Sequence, residues 1–196
     1  MKVMTHHVLA GIALALVTVS CATAQYGYEL QGYPAGIITG PRVEWSRSER
    51  EVIAVRPGWN FTDRRDFGEH DDEQGDGPGI GVNYRRWLAP DRTGWLFGGR
   101  LDLWWLEIDW KDDPGKPSER AGTTDVVVLQ PTVEGGYSFR LSQRWRLDLT
   151  LGLGAEINVD TDGEDVGEGA ILLGGISLLY GRSTKTRDPS RARAWP

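Results

Sequence analysis

The feature that most constrains the fold is a strict alternation of apolar and polar residues from Trp145 to Asp160. Successive side chains of a β-strand point to opposite faces of the sheet, so a period of two gives this segment one apolar and one polar face. The apolar face consists of Trp145, Leu147, Leu149, Leu151, Leu153, Ala155, Ile157 and Val159. The pattern therefore predicts a long strand between an apolar and a polar environment.

Other segments repeat this alternation, and none shows the 3.6-residue apolar period of a helix. The further strands predicted with good support are Glu51 to Thr62, Gly79 to Leu88, Trp95 to Trp110, Val127 to Leu141, and Gly169 to Gly181. The alternation changes phase near Trp104, which predicts a β-bulge there. Ile37 to Trp45 and Tyr26 to Gly32 complete a count of eight, whereas six strands follow without them.

The connections between these strands alternate in length along the chain. Short connections are predicted at 46–50, 89–93 and 142–144, and longer acidic connections at 66–78, 112–124 and 161–168. An up-and-down meander whose two ends face different surroundings has this pattern. The fold class predicted is all-β, with one antiparallel barrel over residues 25–182.

Two kinds of barrel fit alternating strands, and they differ in which face is apolar. A lipocalin-like barrel turns its apolar face inward, whereas an outer-membrane barrel turns it toward lipid. Strands of about 9–11 residues cross a membrane, and Trp and Tyr prefer its two interfaces. The membrane arrangement predicts interface positions for Trp45, Trp59, Trp95, Trp105, Trp110, Trp145 and Tyr180, with Trp87 as an exception that points inward.

The polar faces carry charges of both signs, which could pair across a narrow lumen. The predicted interior network consists of Arg56, Arg100, Asp102, Glu134, Arg140, Arg146, Asp148 and Glu156. An eight-stranded barrel leaves only enough space for its own side chains. The sequence therefore predicts a plugged interior.

The two ends of the chain carry different signals. Lys2, His6 and His7 precede an apolar run from Val8 to Val19, followed by Ala22-Thr23-Ala24, which predicts a cleaved secretory signal peptide over 1–24. Cys21 is interpreted as removed with that peptide, and lipidation is the alternative. The basic stretch at 183–196 is expected to be a disordered tail.

The chain offers few groups for catalysis, metal binding or nucleic-acid binding. His70 is the one histidine after the leader, and no catalytic elbow, phosphate loop or Cys/His metal spacing occurs. Asp160, Asp162 and Glu164 resemble the opening of a calcium loop, but their spacing fits a hydrated acidic loop better. A formal net charge of −6 gives no basic face for nucleic acid. We expect no enzyme activity, cofactor, resident metal or nucleic-acid partner.

The chain resembles the small outer-membrane β-barrel proteins of the OmpA/OmpX and opacity-protein type. The resemblance rests on the leader, the alternating strands, the short turns, the long acidic loops and the aromatic residues at the strand ends. The resemblance implies eight strands, with both termini in the periplasm. Such proteins usually end on a strand with a terminal aromatic residue, whereas here a basic tail follows Tyr180.

The leading functional hypothesis is a non-enzymatic outer-membrane barrel, in contact with outer-membrane lipid, whose acidic loops carry a structural or envelope-interacting role. A periplasmic lipocalin-like carrier of an apolar ligand is the alternative, and an envelope enzyme is a third.

Overall fold

A computed structural model describes residues 24–65 and 68–181 as a single closed β-barrel. The predicted leader, apart from Ala24, and the predicted basic tail at 183–196 lie outside these residues. The strands are β1 (Gln25–Tyr33), β2 (Gly36–Ser46), β3 (Glu51–Arg65), β4 (Asp72–Trp87), β5 (Gly94–Asp112), β6 (Arg120–Arg140), β7 (Trp145–Asp162) and β8 (Gly169–Tyr180). Each strand pairs antiparallel with the next, and β1 pairs with β8 to close the barrel. The predicted fold and the count of eight strands are confirmed.

The short connections lie at one end of the barrel and the longer ones at the other, called here the outer end. Outer connections span 66–71, 113–119 and 163–168, and a tight turn at 34–35 joins β1 to β2. No helix within the described ranges is long and apolar enough to cross a membrane.

The strands extend further toward the outer end than the sequence predicted. β4 begins at Asp72 instead of Gly79, and β6 begins at Arg120 instead of Val127. Acidic and glycine residues suggested loops there, but both extensions pair through their backbones with β5. The predicted boundaries of the two longest loops were therefore wrong, because a solvated strand tolerates charged outward side chains.

The predicted bulge near Trp104 was also wrong. β5 pairs with β6 in unbroken register from Gly94 to Asp112, and even-numbered residues point inward along its whole length. Residues 104–110 keep this phase. What changes is polarity, since the inward face becomes apolar and the outward face becomes charged. The register shift lies instead between β6 and β7, where Val127 pairs with Asp160 and Val128 with Asn158. This bulge at Val159 turns Asp160 and Asp162 to the outer surface.

Inside, the outer third of the barrel is filled by apolar side chains. Members of this interior apolar cluster include Tyr33, Ile38, Trp104, Leu106, Ile108, Trp110, Val126, Val128, Val166 and Leu173. Trp104 is fully buried and fits because Gly79 faces it on β4, where a Cβ atom would come within 2.1 Å of the indole ring. The barrel interior thus has a mainly apolar layer toward the outer end, which the buried Arg64–Glu156 ion pair crosses, and a charged layer below.

Candidate functional site: barrel wall, interior network and outer cap

The lower and middle part of the outer barrel face is a continuous apolar band. Large apolar side chains are exposed or half-exposed on every strand, among them Tyr28, Leu30, Ile37, Ile53, Val82, Leu101, Val133, Leu151, Leu153 and Leu172. Leu151 and Leu153, near the middle of β7, are 67% and 64% exposed. Soluble monomers rarely expose so large a contiguous apolar surface, so this band requires an apolar environment.

Aromatic side chains border the band at both ends. At the short-turn end Trp95 packs against Tyr137 at 5.3 Å between ring centroids, and Trp145 against Tyr180 at 5.0 Å. Trp45 is half-buried on the same outer face. Toward the outer end Trp59 and Trp105 are each 43% exposed. Six of the predicted interface aromatics therefore lie on the outer face, near the two edges of the band.

Trp110 is placed differently from its predicted interface position. Its side chain is 5% exposed, points into the barrel and stacks on the His70 ring at 4.2 Å between centroids. The prediction was wrong because it assumed that the apolar face of β5 stays outside throughout. Beyond Trp105 that strand carries its apolar residues inside and its charges outside.

The upper edge of the band is marked by two adjacent rows of paired residues. In the lower row, across β3 to β6, Trp59 pairs with Pro78 and Trp105 with Val127, and Asp160 of β7 stands opposite Val127. One pair further out, Asp76, Glu107, Asp125 and Asp162 stand opposite one another across β4 to β7. We call this second set the carboxylate row. The Trp59 indole N–H donates to Asp76 at 2.7 Å and joins the two rows.

Below the apolar cluster the interior is an ion-pair network with Glu29 at its centre. The Glu29 carboxylate is fully buried and lies 2.8 Å from Arg42, 3.2 Å from Arg100, and 3.4 Å from both Arg56 and Arg85. Gln31 and Ser177 donate further hydrogen bonds to it. Buried charges are retained only when they are paired and hydrogen-bonded, and here one carboxylate is shared by four guanidinium groups.

A second set of ion pairs extends from this centre toward the short-turn end. Arg85 binds Glu134 at 2.6 Å and approaches Asp148 at 3.4 Å. Arg146 binds Glu44 at 2.6 Å and Asp148 at 2.9 Å. Trp87 points inward, as its parity indicated, and its indole N–H donates to Ser138 at 2.7 Å. Side chains from strands on all sides of the barrel therefore meet across its axis.

The structure brings most of the predicted interior residues together. Arg56, Arg100, Asp102, Glu134, Arg146, Asp148 and Glu156 are all buried inside the barrel. Arg140 is not, because it ends β6 at the rim, where its half-exposed guanidinium group reaches Asp91. Sequence reasoning missed Glu29, Arg42, Glu44 and Arg64. The missed signal was the alternation of Tyr26, Tyr28 and Leu30 with Gly27, Glu29 and Gln31 in β1.

The outer end is covered by a cap in which the loops are tied together by Glu73 and His70. The fully buried Glu73 carboxylate accepts backbone N–H groups from Glu69, His70 and Gly167 and pairs with Arg64 at 3.0 Å. Arg64 also binds Glu156 at 2.7 Å, which joins the cap to the interior. His70, predicted to be an ordinary exposed loop residue, is 8% exposed.

The weak calcium candidates do not converge. Asp160 and Asp162 lie on the outer face of β7, whereas Glu164 pairs with Arg120 at 2.6 Å. Within residues 24–65 and 68–181, no group of three or more acidic, histidine or cysteine side chains has the geometry to hold a metal ion.

Comparison with solved structures places this fold among outer-membrane barrels. A major outer membrane protein from Thermus thermophilus superposes with a TM-score of 0.51 at 13% identity, covering 83% of this chain and all of the other. Neisserial surface protein A gives 0.48 at 12% identity, covering 80% and 95%. The N-terminal barrel domain of Pseudomonas aeruginosa OprF gives 0.44 at 9% identity, covering 81% and 97%.

No protein-family model matches the sequence, and no curated protein does. At such identities the likeness shows the fold alone. The chain has the fold of the small eight-stranded outer-membrane barrels, and the resemblance noted from its sequence is confirmed at that level.

Proposed function

We propose that this protein is a non-enzymatic, non-conducting outer-membrane barrel whose acidic outer end interacts with components of the cell envelope or surface. The observation that carries the proposal is the facing of the strands. An exposed apolar band with aromatic borders surrounds a fully buried ion-pair network, and a barrel that spans lipid needs this arrangement. We also propose that residues 1–24 direct export and that 183–196 form a periplasmic tail.

The outward orientation of the apolar side chains argues against a soluble periplasmic carrier. A carrier in water would turn residues such as Leu151 and Val133 inward to line a ligand cavity, yet they are 67% and 68% exposed. In the middle of the barrel, the place of such a cavity is taken by Glu29 and the arginine side chains around it.

The absence of conduction is inferred from the two interior layers. Charged side chains bridge the lumen at the level of Glu29, and apolar side chains including Trp104 and Ile108 fill it above. An ion would have to break several buried ion pairs and then cross an apolar layer. A structural or binding role fits such a closed interior better than transport.

The partner chemistry follows from the charge of the outer end. At the level of the lower row and beyond it, acidic residues outnumber basic ones among the described residues. The acidic residues are Asp63, Glu69, Asp71, Asp72, Glu73, Asp76, Glu107, Asp109, Asp112, Asp113, Glu119, Asp125, Asp160, Asp162, Glu164, Asp165 and Glu168, and the basic ones are Arg64, Arg65, Lys111, Lys116 and Arg120. Such an excess of one sign attracts opposite charge and repels its own. Cationic partners are therefore favoured over polyanionic ones.

The decisive experiment is fractionation of expressing cells, followed by gel electrophoresis of the washed outer membranes with and without boiling. We expect recovery in that membrane and a mobility shift on heating. Recovery in the soluble periplasm would contradict the proposal.

A matched pair of substitutions tests the facing itself. Leu151→Arg places a charge at mid-band and should block assembly, because a lipid-facing Arg costs about 2–4 kcal/mol at the membrane centre. Val159→Arg places the same charge near the outer edge of the band, where the cost is about 0–1 kcal/mol, and should assemble. Equal assembly of both variants would mean that the band does not face lipid.

A further inference from the structure

His70 joins loops from three hairpins at one point in the outer cap. Its Nδ1 atom lies 3.0 Å from a carboxylate oxygen of Asp112, at the end of β5. Its Nε2 atom lies 2.9 Å from the backbone carbonyl oxygen of Asp165, in the loop between β7 and β8. The ring is held against Trp110 by stacking. Both ring nitrogens therefore face groups that can only accept a hydrogen bond.

A neutral imidazole cannot satisfy this arrangement. It carries a proton on one nitrogen and a lone pair on the other, so one lone pair would face either the carbonyl oxygen or the carboxylate. The imidazolium form donates from both nitrogens and satisfies both partners. We propose that His70 is a proton-controlled latch, which holds the 163–168 loop closed when the ring is protonated and loosens it when the ring is neutral.

The segment that the latch holds also covers the barrel mouth. Val166 of this loop is buried in the interior apolar cluster, and the Gly167 N–H donates to Glu73. Asn158 donates to the carbonyl oxygen of Val166 at 2.9 Å. Loss of the contact between His70 and Asp165 would therefore weaken the cover over the apolar cluster while other bonds keep the barrel intact.

Two of the other carboxylates near the ring are paired with arginine, whereas Glu69 and the Asp165 side chain line the surface depression beside it. Glu73 of β4 binds Arg64 of β3, and Glu164 of the β7–β8 loop binds Arg120 of β6, whose guanidinium group lies 5.8 Å from the Trp110 ring centroid. Glu69 lines the same shallow surface depression as the ring. Among the described residues, Asp112 is the carboxylate in direct contact with the ring. The proton response is therefore assigned to His70 and Asp112 together.

The test is amide hydrogen exchange of the 163–168 segment in the full chain, folded in detergent micelles and purified without a histidine tag. Exchange is compared at pH 5.5 and pH 8.0 after correction for the intrinsic effect of pH. Because a hydrogen bond to a charged group contributes about 1.5–3 kcal/mol, we expect at least about tenfold faster opening at pH 8.0. Nitrogen NMR of the His70 ring should show two N–H groups at pH 5.5, where the loop is closed.

Two substitutions distinguish a latch from a merely structural ion pair. Asp112→Asn offers an amide N–H to a neutral Nδ1, while Nε2–H still donates to Asp165. The loop should then stay closed at both pH values, whereas a structural ion pair predicts loosening. Asp113→Asn removes an equal charge one residue away and should leave the pH response unchanged.

Three outcomes would overturn the latch. The first is equal protection of wild-type protein at the two pH values. The second is a single ring N–H at pH 5.5 with the loop closed. The third is a loosened loop in Asp112→Asn at both pH values. An unchanged heat-dependent gel shift would show in each case that the barrel itself is folded.

Discussion

Glu29 is the residue on which the interior network most depends, and Glu29→Gln tests that dependence with almost no change in shape. The substitution removes one negative charge from a fully buried site surrounded by Arg42, Arg56, Arg85 and Arg100. Breaking a buried ion pair by removing one partner costs about 3–5 kcal/mol, because the remaining charge is left buried without compensation. We expect a loss of that size in the free energy of unfolding.

The measurement is reversible urea unfolding in lipid vesicles, followed by tryptophan fluorescence. With a slope of about 2 kcal/mol per molar urea, the midpoint should fall by about 1.5–2.5 M. Glu49→Gln is the matched control, since Glu49 lies exposed in the turn between β2 and β3 and should change stability by less than about 0.5 kcal/mol.

A double substitution separates charge balance from packing. Arg100→Gln added to Glu29→Gln restores neutrality, while Asp102 stays paired with Arg56 at 2.9 Å. The double variant should therefore be more stable than Glu29→Gln alone. If Glu29→Gln matched wild-type stability, or if the second substitution only added to the loss, the ionic account of the interior would be refuted.

Three further predictions concern the outer half of the barrel. Trp104→Ala should lower the free energy of unfolding by about 3–5 kcal/mol in the same assay, because it empties a fully buried site. Gly122→Val should lower it too, since a Cβ atom there would come within 2.5 Å of the Trp110 ring, and an unchanged midpoint would contradict that packing. The hydrogen bond from Lys116 lowers the pKa of Asp113, so Lys116→Gln should move that pKa back up in a carboxyl-carbon NMR titration.

The strands that alternate regularly could be predicted from the sequence because one environment acts along their whole length. β7 is the clearest example, because its apolar side chains from Leu147 to Val159 all lie on the outer face of the barrel. β1 was harder to predict, since Gly27 and Gly32 interrupt the alternation in a short segment. The inward position of Glu29 was therefore not recognised. Short-range patterns reveal a strand, but they do not reveal which of its polar residues meets four arginines from other strands.

The errors in the candidate site have one physical origin. The prediction for Trp110, and the bulge expected at Trp104, both assumed that apolar residues stay on one face of β5. The strand instead passes from one environment to another, so Leu103 is outside whereas Leu106 is buried inside. An alternating pattern shows that the two faces of a strand differ in polarity. It does not show which face points into the barrel when the environment changes along the strand.

The carboxylate row has a consequence for how the protein would sit in a bilayer. Moving β3 to β7 deeper by two residues would bring Asp76, Glu107 and Asp125 into hydrocarbon. Moving them outward by the same distance would expose Trp59 and Trp105 to water. The carboxylate row therefore limits how deep the barrel can sit on one side only, since the tight turn at 34–35 on the opposite side carries no acidic residue. A limit on one side favours a barrel axis that is tilted from the membrane normal, with the long β5–β6 hairpin inclined toward the membrane surface.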